Sequence, residues 1–495
     1  MASPEKNSSI DISHAISLLK NKGLIKNQQF HSSSSKAGVI RTDSRMVEAG
    51  DIFIAYLGES IDSHNFIPAV VTKNPGLIII EDDSFIKKLG DTPWVLVENS
   101  REAWSYLCAE ANDFFNLDMI FIGVTGTNGK TSTVWIIKEL LRQSQIPHIS
   151  IGTLGIWTND HFTESRHTSP DPDVLYPVLA NAATQGIRLC VMEVSSHAMQ
   201  QNKLSPIKFS ASAFTSFSRD HLDLHGDMDS YLAAKLKFFT HLQSDNSYKL
   251  FHSSLFSIPT VSKLKTTNLN KYALGNNLSY VFEDGVSRLQ IKSSDSSNKA
   301  RTFNLPLLGS FLIENAAAAI LLLESVLKTK IDPKFTMGIR PIPGRLELVS
   351  KQLPVVVVDY AHTPDAIEKS LQALRPFCSG NLWVVFGCGG NRDKGKRPLM
   401  AKAAEQFSDK VVVTSDNPRD EDPNDIIQEI LVGFSDSSNV SIEADRKNAI
   451  ESTISEAQKN DLILIAGKGH ETYMEIKGEK LPFNDMEIAK AALRG

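Results

Sequence analysis

Between residues 123 and 131 the chain reads Gly123-Val124-Thr125-Gly126-Thr127-Asn128-Gly129-Lys130-Thr131, with glycine at every third position and a Lys–Thr pair closing the run. Glycines let successive backbone N–H groups close around phosphate, Lys130 brings a positive point charge, and the Thr131 hydroxyl is suited to Mg²⁺. The strict Walker spacing is not met, because Val124 stands five places before Gly129. Placement offsets this. An apolar strand-like run leads in, and an amphipathic helix-like run leads out with its positive N-terminal end toward the same phosphates. A loop that merely turns from strand to helix has no need of the Lys–Thr pair. The chemistry expected is binding of a nucleoside triphosphate.

Two further runs carry groups fit for phosphoryl chemistry. Met192-Glu193-Val194-Ser195-Ser196-His197 ends one apolar strand, and Ser218-Arg219-Asp220-His221-Leu222-Asp223-Leu224-His225-Gly226 follows another. Strand ends line the ligand crevice of an open α/β sheet. Glu193 and His221 are therefore candidates to lie near Mg²⁺ and the γ-phosphate; a carboxylate is a hard oxygen ligand, a histidine a less usual one. Ser195 with a nearby histidine also suggests a hydrolase, but the G-x-S-x-G elbow is missing. Alone, Glu193 or His221 would read as a cap or a core hydrogen-bonding group. The neighbouring phosphate loop favours function.

The elements that must position these groups alternate between short apolar runs and helical patterns, the signature of α/β architecture. Strands are expected at 51–56, 76–80 and 94–97, in a small N-terminal domain ending near Asn99. A central block follows with a helix over 101–115, a strand over 119–124, and a helix whose Val134, Ile137, Leu140 and Leu141 share one face. Runs 189–194 and 210–215 read as further buried strands, and 314–327 as a closing helix. The stretch 244–299, rich in Ser, Asn and Lys, reads as surface loops and short strands or hairpins. From Ile342 onward strands at 355–359, 382–386, 410–414 and 462–466 alternate with helices near 364–374, 397–407, 424–431 and 446–457, a doubly wound parallel sheet.

A length of 495 residues calls for about three domains. Composition is that of a globular protein, 41% hydrophobic and 22% charged, and its formal net charge of −5 argues against non-specific nucleic-acid binding. Cys108, Cys190, Cys378 and Cys388 lie far apart without metal spacing, and Cys190 sits in an apolar run. Reduced thiols, no signal peptide at the polar N-terminus and no apolar run near ~18 residues make a cytoplasmic protein with no membrane span the expectation.

The loop Gly126–Ser132, the run Met192–Ala198, the run Ser218–Gly226, Gly309-Ser310-Phe311 with Asn315, Pro343–Glu347 and Val358–Pro364 together resemble the Mur ligases, in the family's order and over nearly the whole chain. These ATP-dependent enzymes build the peptidoglycan stem peptide, and the resemblance is strongest to members that add its third residue. It implies three α/β domains: 1–98 binding a UDP-sugar, a P-loop ATPase-like 99–341, and a Rossmann-like 342–495 binding an amino acid. It implies an acyl phosphate made from a substrate carboxylate and ATP, then attacked by an amino group, with cations stabilising the phosphoryl oxygens. In that scheme Gly126, Thr127, Asn128, Gly129, Lys130, Thr131, Ser132, Asn315, Arg345 and Asp359 serve ATP. Lys130, Glu193, His221, Lys235 and Arg345 are the expected catalytic set. Mg²⁺ falls to Thr131, Glu193 and His221. Lys235 matches the family's carbamylated lysine, a modification that turns a cation into a carboxylate-like anion able to support a second Mg²⁺. By the same resemblance Thr42, Ser44, Glu59, Ser60 and Ile61 match the uridine region, although Asp43-Ser44 alone would be an ordinary turn. His167, Thr168, Ser169, Ser195, Gln201 and Lys203 match the muramoyl-dipeptide site. The implied partners are small molecules alone, with a monomeric enzyme, no nucleic acid and no membrane.

Four loops leave the C-terminal ends of the third domain's strands: Asp359-Tyr360, Gly387–Arg397, Asp416-Asn417-Pro418-Arg419 and Gly467–Glu471. Their convergence on one sheet edge makes a site for a small charged substrate. Asp-Asn-Pro-Arg matches the subgroup that adds meso-diaminopimelate, which is lysine with an extra carboxylate at its far end. Arg419 and Arg392 suit that carboxylate, Glu471 the neighbouring ammonium, and Gly467 a close backbone approach. Lysine would set a lone ammonium beside two guanidiniums, for discrimination on the order of 10³-fold or more. As a structural residue, Arg419 would be only a surface arginine in a charged loop.

The chain departs from the family pattern at His167 for asparagine, Lys203 for arginine, Ser216 for asparagine and Asn391 for aspartate. An Asn-x-Asp-Asp run is also missing around 251–257. Lys203 loses the bidentate fork, and Ser216 is expected to weaken a contact near the metal. Three rivals stand beside this reading: a lysine-adding relative, a folylpolyglutamate-synthase-like ligase, and a non-catalytic nucleotide-binding protein.

Overall fold

Four runs, Val355–Asp359, Leu382–Phe386, Lys410–Val413 and Leu462–Ala466, are almost wholly apolar and almost wholly buried, which is what a parallel sheet covered on both faces requires. In the computed structural model, which describes residues 8–30, 36–58, 61–264, 266–275, 278–283, 286–292, 300–350 and 352–494, they form one sheet. Its strand order is Glu347–Leu348, Val355–Asp359, Leu462–Ala466, Leu382–Phe386, Lys410–Val413, Val440–Ile442. All neighbours are parallel except the short first strand, which is antiparallel to the second. Helices Pro364–Leu374, Arg397–Phe407, Pro423–Leu431 and Arg446–Glu456 connect the strands within a residue or so of the expected positions. Thr363, Asp422 and Asp445 cap three of them by accepting a backbone N–H from inside the first turn, and proline begins two of these. A hairpin of Tyr473–Ile476 and Glu479–Pro482, not expected from sequence, follows the last parallel strand.

The chain folds as two compact units. One comprises Met1–Ile122, Pro147–Ser210 and Ala234–Ser247; the other comprises Gly123–Ile146, Ala211–Ala233 and Tyr248–Gly495. In the first, a six-stranded sheet runs in the order Ser9–Asp11, Ala37–Arg41, Ile52–Ile54, Leu77–Ile80, Trp94–Val97, Ile25–Gln29. Its inner four strands are parallel and its two edges antiparallel. Phe53, Ile67, Val70, Ile78, Ile80 and Trp94 fill one face. The same unit holds Leu189–Glu193 parallel to Ile149–Gly152, followed by the antiparallel strands Gly155–Thr158 and His161–Thr163.

In the second unit, helix Lys130–Gln143 packs against helix Ser310–Leu327. This 18-residue helix corrects the expectation that no apolar segment approaches membrane-spanning length. Its apolar residues are largely buried by the protein, and Glu314, Asn315 and Glu324 interrupt them. The region from Ser244 also departs from expectation: it opens with the ten-residue strand Gln243–His252. The expected hairpins follow as a three-stranded antiparallel sheet, Leu278–Glu283, Val286–Lys292 and Ala300–Leu305.

Candidate active site

Strand Ile120–Thr125 delivers the chain into the glycine loop, and Gly129 sits at the N-cap of helix Lys130–Gln143 with φ +89°, a conformation that favours glycine. A side chain there would also meet the Asn315 Oδ1 at 2.6 Å, so Asn315 abuts the loop. Lys130 Nζ folds over the loop and donates to the carbonyls of Gly126 and Thr127, both at 3.0 Å. Its ammonium thus lies at the rim of the glycine loop. Thr131 is buried, and Arg345 Nη2 donates to its hydroxyl at 3.3 Å. Ser132 is buried in the first helical turn.

Ser216 has a defined task. Its hydroxyl accepts from Asn128 N at 2.8 Å and donates to Asn128 O at 3.0 Å, while Thr215 Oγ1 donates to the same carbonyl at 2.5 Å. Thr127 Oγ1 accepts from Ser218 N and lies 3.2 Å from the Tyr231 hydroxyl. Asn128 Nδ2 donates to Asp365 at 2.9 Å. Ser216 therefore shapes the loop by its hydroxyl.

Arg345 stacks 4.5 Å from the Tyr360 ring centre and donates to Gly344 O. Asp359 is buried at the base of this turn, where it accepts from Leu346 N at 2.6 Å and from the Ser370 hydroxyl. Burial pushes its carboxyl up, against the opposing pull of the Arg345 charge. Asp359 thus holds the turn that presents Arg345.

Asp220, which sequence reasoning passed over, is the centre of a charged cluster. His221 Nε2, His362 Nε2 and Lys396 Nζ lie 3.4, 3.6 and 3.5 Å from its carboxylate. Burial alone would raise this carboxyl, but the hydrogen bond from His362 and the charges of His221 and Lys396 hold it well below the usual range. Beside it Arg219 donates twice to Asp393, at 2.7 and 2.9 Å.

At the C-terminal edge of the parallel sheet the expected amine-site loops meet. Gly390 N donates to Asn417 O at 2.9 Å. A side chain at Gly390 would overlap the Pro418 carbonyl, and one at Gly467 would come within 2.6 Å of Asp416 Oδ2. Arg419 has φ +52° and is fixed on three sides. Its N–H donates to Glu475 O at 3.0 Å, its Nε pairs with the Glu475 carboxylate at 3.0 Å, and its Nη1 donates to Gly390 O at 2.9 Å. Asn417 Nδ2 donates to Glu471 at 2.8 Å. Arg392 is half exposed, 3.7 Å from Asp223. The aspartate-to-asparagine departure at 391 also has a reason: Asn391 Nδ2 donates to Asp420 at 2.7 Å, where a second carboxylate would repel. Beneath this loop Arg397 is fully buried and bridges Glu421 and Glu429, and its hydrogen bonds hold the Glu421 carboxyl at about 2.

The first unit holds the other expected groups. Glu193 is 1% exposed and accepts from Thr153 N at 2.8 Å and Thr153 Oγ1 at 3.2 Å, over Gly152, whose missing side chain makes the room. Thr168 Oγ1 lies 3.1 Å from Thr153 Oγ1. Ser169 donates to Glu193 O at 3.0 Å, and its hydroxyl lies 3.3 Å from that of Ser195, which caps helix Ser196–Gln200. Gln201 closes the other end of that helix. Lys203 Nζ pairs with Asp171 at 2.6 Å, and His167 approaches the same carboxylate at 3.6 Å, so two departures from the family pattern meet on one anion. The Lys203 carbonyl is pinned by the Ser105 and Tyr176 hydroxyls. Lys235 is buried on helix Met228–His241.

In the N-terminal sheet, Thr42 and Ser44 flank Asp43, whose carboxyl is held at about 2 chiefly by the hydrogen bond from Arg45. Lys73, a residue sequence reasoning missed, clamps this turn by donating to Ser44 O and Arg45 O. Ile61 is exposed, and its carbonyl accepts from Gly58 N at 3.0 Å. Glu59 and Ser60 lie outside the described residues. Among the described residues no three His, Cys, Asp or Glu side chains form a metal cage. Such a cage is not what Mg²⁺ ordinarily uses; it is bound through one or two carboxylates with waters and substrate phosphates.

Comparison with known proteins identifies the family. Residues 124–323 match the Mur ligase middle domain and residues 344–469 the Mur ligase, glutamate ligase domain. The chain is 38% identical over 472 residues to UDP-N-acetylmuramoyl-L-alanyl-D-glutamate–2,6-diaminopimelate ligase of Coxiella burnetii, covering 92% of this chain and 95% of that protein. A solved structure of a ligase of the same name aligns with TM-score 0.63 and 30% identity, over 94% of this chain and 97% of that one. Mycobacterium tuberculosis folylpolyglutamate synthase complexed with ADP aligns with TM-score 0.61 over 74% of this chain and 91% of its own, at 18% identity, a likeness of fold alone.

Proposed function

The chain belongs to the Mur ligase family, and from that premise we propose that it joins meso-2,6-diaminopimelate to the D-glutamate γ-carboxylate of UDP-N-acetylmuramoyl-L-Ala-D-Glu, converting ATP to ADP and phosphate. The γ-carboxylate oxygen attacks the γ-phosphorus of ATP, ADP leaves, and an acyl phosphate forms. The amine then attacks the acyl carbon, loses a proton, and expels phosphate from the tetrahedral intermediate. Negative charge builds first on phosphoryl oxygens and then on the former carbonyl oxygen, so fixed cations are the main requirement. Lys130 at the loop rim and Arg345, held by Asp359 and Tyr360, suit the phosphates. We assign residues 1–98, 99–341 and 342–495 to the UDP-sugar, ATP and amino acid respectively.

Bound Mg²⁺ would neutralise phosphate charge. Thr131 and His221 are proposed to face it in the nucleotide-binding unit. Glu193, a buried carboxylate, and Lys235, carbamylated at Nζ, are proposed anionic groups of the first unit. Carbamylation would turn the Lys235 ammonium into an anion that a cation can offset. The reading asks for no partner chain, and it sets the reaction on a monomer in the cytoplasm, where ATP is available.

The observation that carries the choice of amine is the guanidinium of Arg419 fixed beside Asn417 and Glu471 at the sheet edge. A far carboxylate suits the first and its neighbouring ammonium the last. The test is ADP release by the purified protein. It is expected only when the UDP-muramoyl dipeptide and meso-diaminopimelate are both present. Release driven by a pteroyl substrate and glutamate would support the folylpolyglutamate reading instead.

A further inference from the structure

The loop Gly467–Glu471 carries a lysine that no step above uses. Lys468 is 0% exposed, an unusual place for an ammonium unless it is paired and hydrogen-bonded. Its Nζ donates to Asn417 Oδ1 at 2.9 Å and to Glu471 Oε2 at 3.0 Å, and Asn417 Nδ2 donates to the same Glu471 oxygen at 2.8 Å. The three side chains therefore close a triangle with a hydrogen bond on every edge. A fourth bond, Glu475 N to Asn417 Oδ1 at 2.9 Å, ties the triangle to the residue whose carboxylate pairs with Arg419.

The geometry fixes two orientations. Asn417 must turn its carbonyl toward Lys468 and Glu475 and its amide toward Glu471, because the reverse would set an NH₂ group against two donors. Glu471 receives both donors on Oε2, which directs Oε1 away from the triangle. Removing the ammonium would leave a partly buried carboxylate and the buried Asn417 amide oxygen each short of a partner.

We infer that Lys468 is the positioning residue of the amine site, holding Asn417 and Glu471 in the orientations that recognise the amino-acid substrate. This rests on the reading of that site as the one for diaminopimelate. Lys468 does not touch the substrate; it acts through the two groups that do.

A double-mutant cycle tests the inference. Lys468→Met is expected to raise the KM for diaminopimelate about tenfold or more while leaving the KM for ATP and kcat within about twofold. In a Glu471→Gln background the same change is expected to alter the KM by less than about twofold, because the charged partner it orients is already gone. Lys468→Gln, which keeps a donor, is expected to fall between wild type and Lys468→Met, and it serves if the apolar variant does not fold. An equal effect of Lys468→Met in both backgrounds, or an equal loss toward ATP, would overturn the positioning role and mark Lys468 as a support of the fold alone. A wild type that releases ADP only with another amine would instead overturn the diaminopimelate reading. The same cycle on that amine would still decide Lys468, since the triangle is a property of the chain.

Discussion

At the scale of single residues, Arg419 shows how much a motif conveys and where it stops. Its type and place in Asp416-Asn417-Pro418-Arg419 were enough to suggest a carboxylate partner. Its left-handed backbone and its three anchors were not legible, because two come from Glu475 in a hairpin more than fifty residues later and one from Gly390 in a loop earlier in the chain. A guanidinium can keep these anchors on one side and offer its fork to a carboxylate on another, which an ammonium cannot. Arg419→Ala is therefore expected to raise the KM for diaminopimelate by about 100-fold or more with the KM for ATP unchanged. Steady-state kinetics varying each substrate in turn checks this, and equal losses for both would refute the assignment of the loop. Departures from the family pattern were visible as letters but not as contacts. Lys203 and His167 share Asp171, Asn391 bonds to Asp420, and Ser216 shapes the phosphate loop. The partners of Lys203, Asn391 and Ser216 lie tens of residues away in sequence, where spacing alone is silent, whereas His167 meets Asp171 only four residues on.

At the scale of elements, the parallel sheet of the third region was read from its apolar runs nearly to the residue, since a strand buried on both faces carries few polar letters. The strand Gln243–His252 was missed for the opposite reason: its first half is polar and partly exposed, so no period-two pattern appears. Helix Ser310–Leu327 was recognised, but its length was understated because Glu314 and Asn315 break the apolar run near its start. The glycine loop joins the two kinds of evidence. Its sequence predicted a phosphate cradle, and the fold adds that Gly129 is needed twice, for φ +89° and for clearance of Asn315. Gly129→Ala is expected to weaken ATP binding about tenfold or more while diaminopimelate binding is retained. Calorimetric titration with ATP and with the amino acid separates the two, and unchanged ATP affinity would remove the loop from the nucleotide site.

At the scale of the whole molecule, the second compact unit is locked by a buried acid. Glu139 is fully buried and receives Arg340, Arg142 and Lys138, which ties the chain at Gly338–Arg340 to helix Lys130–Gln143. Burial by itself would raise this carboxyl, but the hydrogen bonds from Arg340 and Arg142 and the Lys138 charge outweigh it and hold the group at about 2, against 4.5 for an ordinary glutamate. A folded value below the unfolded one gives stability that is present above about 4.5 and is lost as the pH falls toward about 2. The advantage of wild type over Glu139→Gln is thus expected to shrink by about 2 kcal/mol between about pH 6 and about pH 3. Urea unfolding at the two pH values measures it, and a difference constant with pH would exclude the ion cluster as the cause. Above stability stands the proposed division of labour, in which the glycine loop powers the reaction and the far sheet edge selects the amine. The most direct test offers the enzyme ATP, the UDP-muramoyl dipeptide and equal concentrations of meso-diaminopimelate and L-lysine, and identifies the product by mass. The account predicts diaminopimelate product in excess by about 10³-fold or more; comparable amounts of the two products, or the lysine product alone, would contradict it.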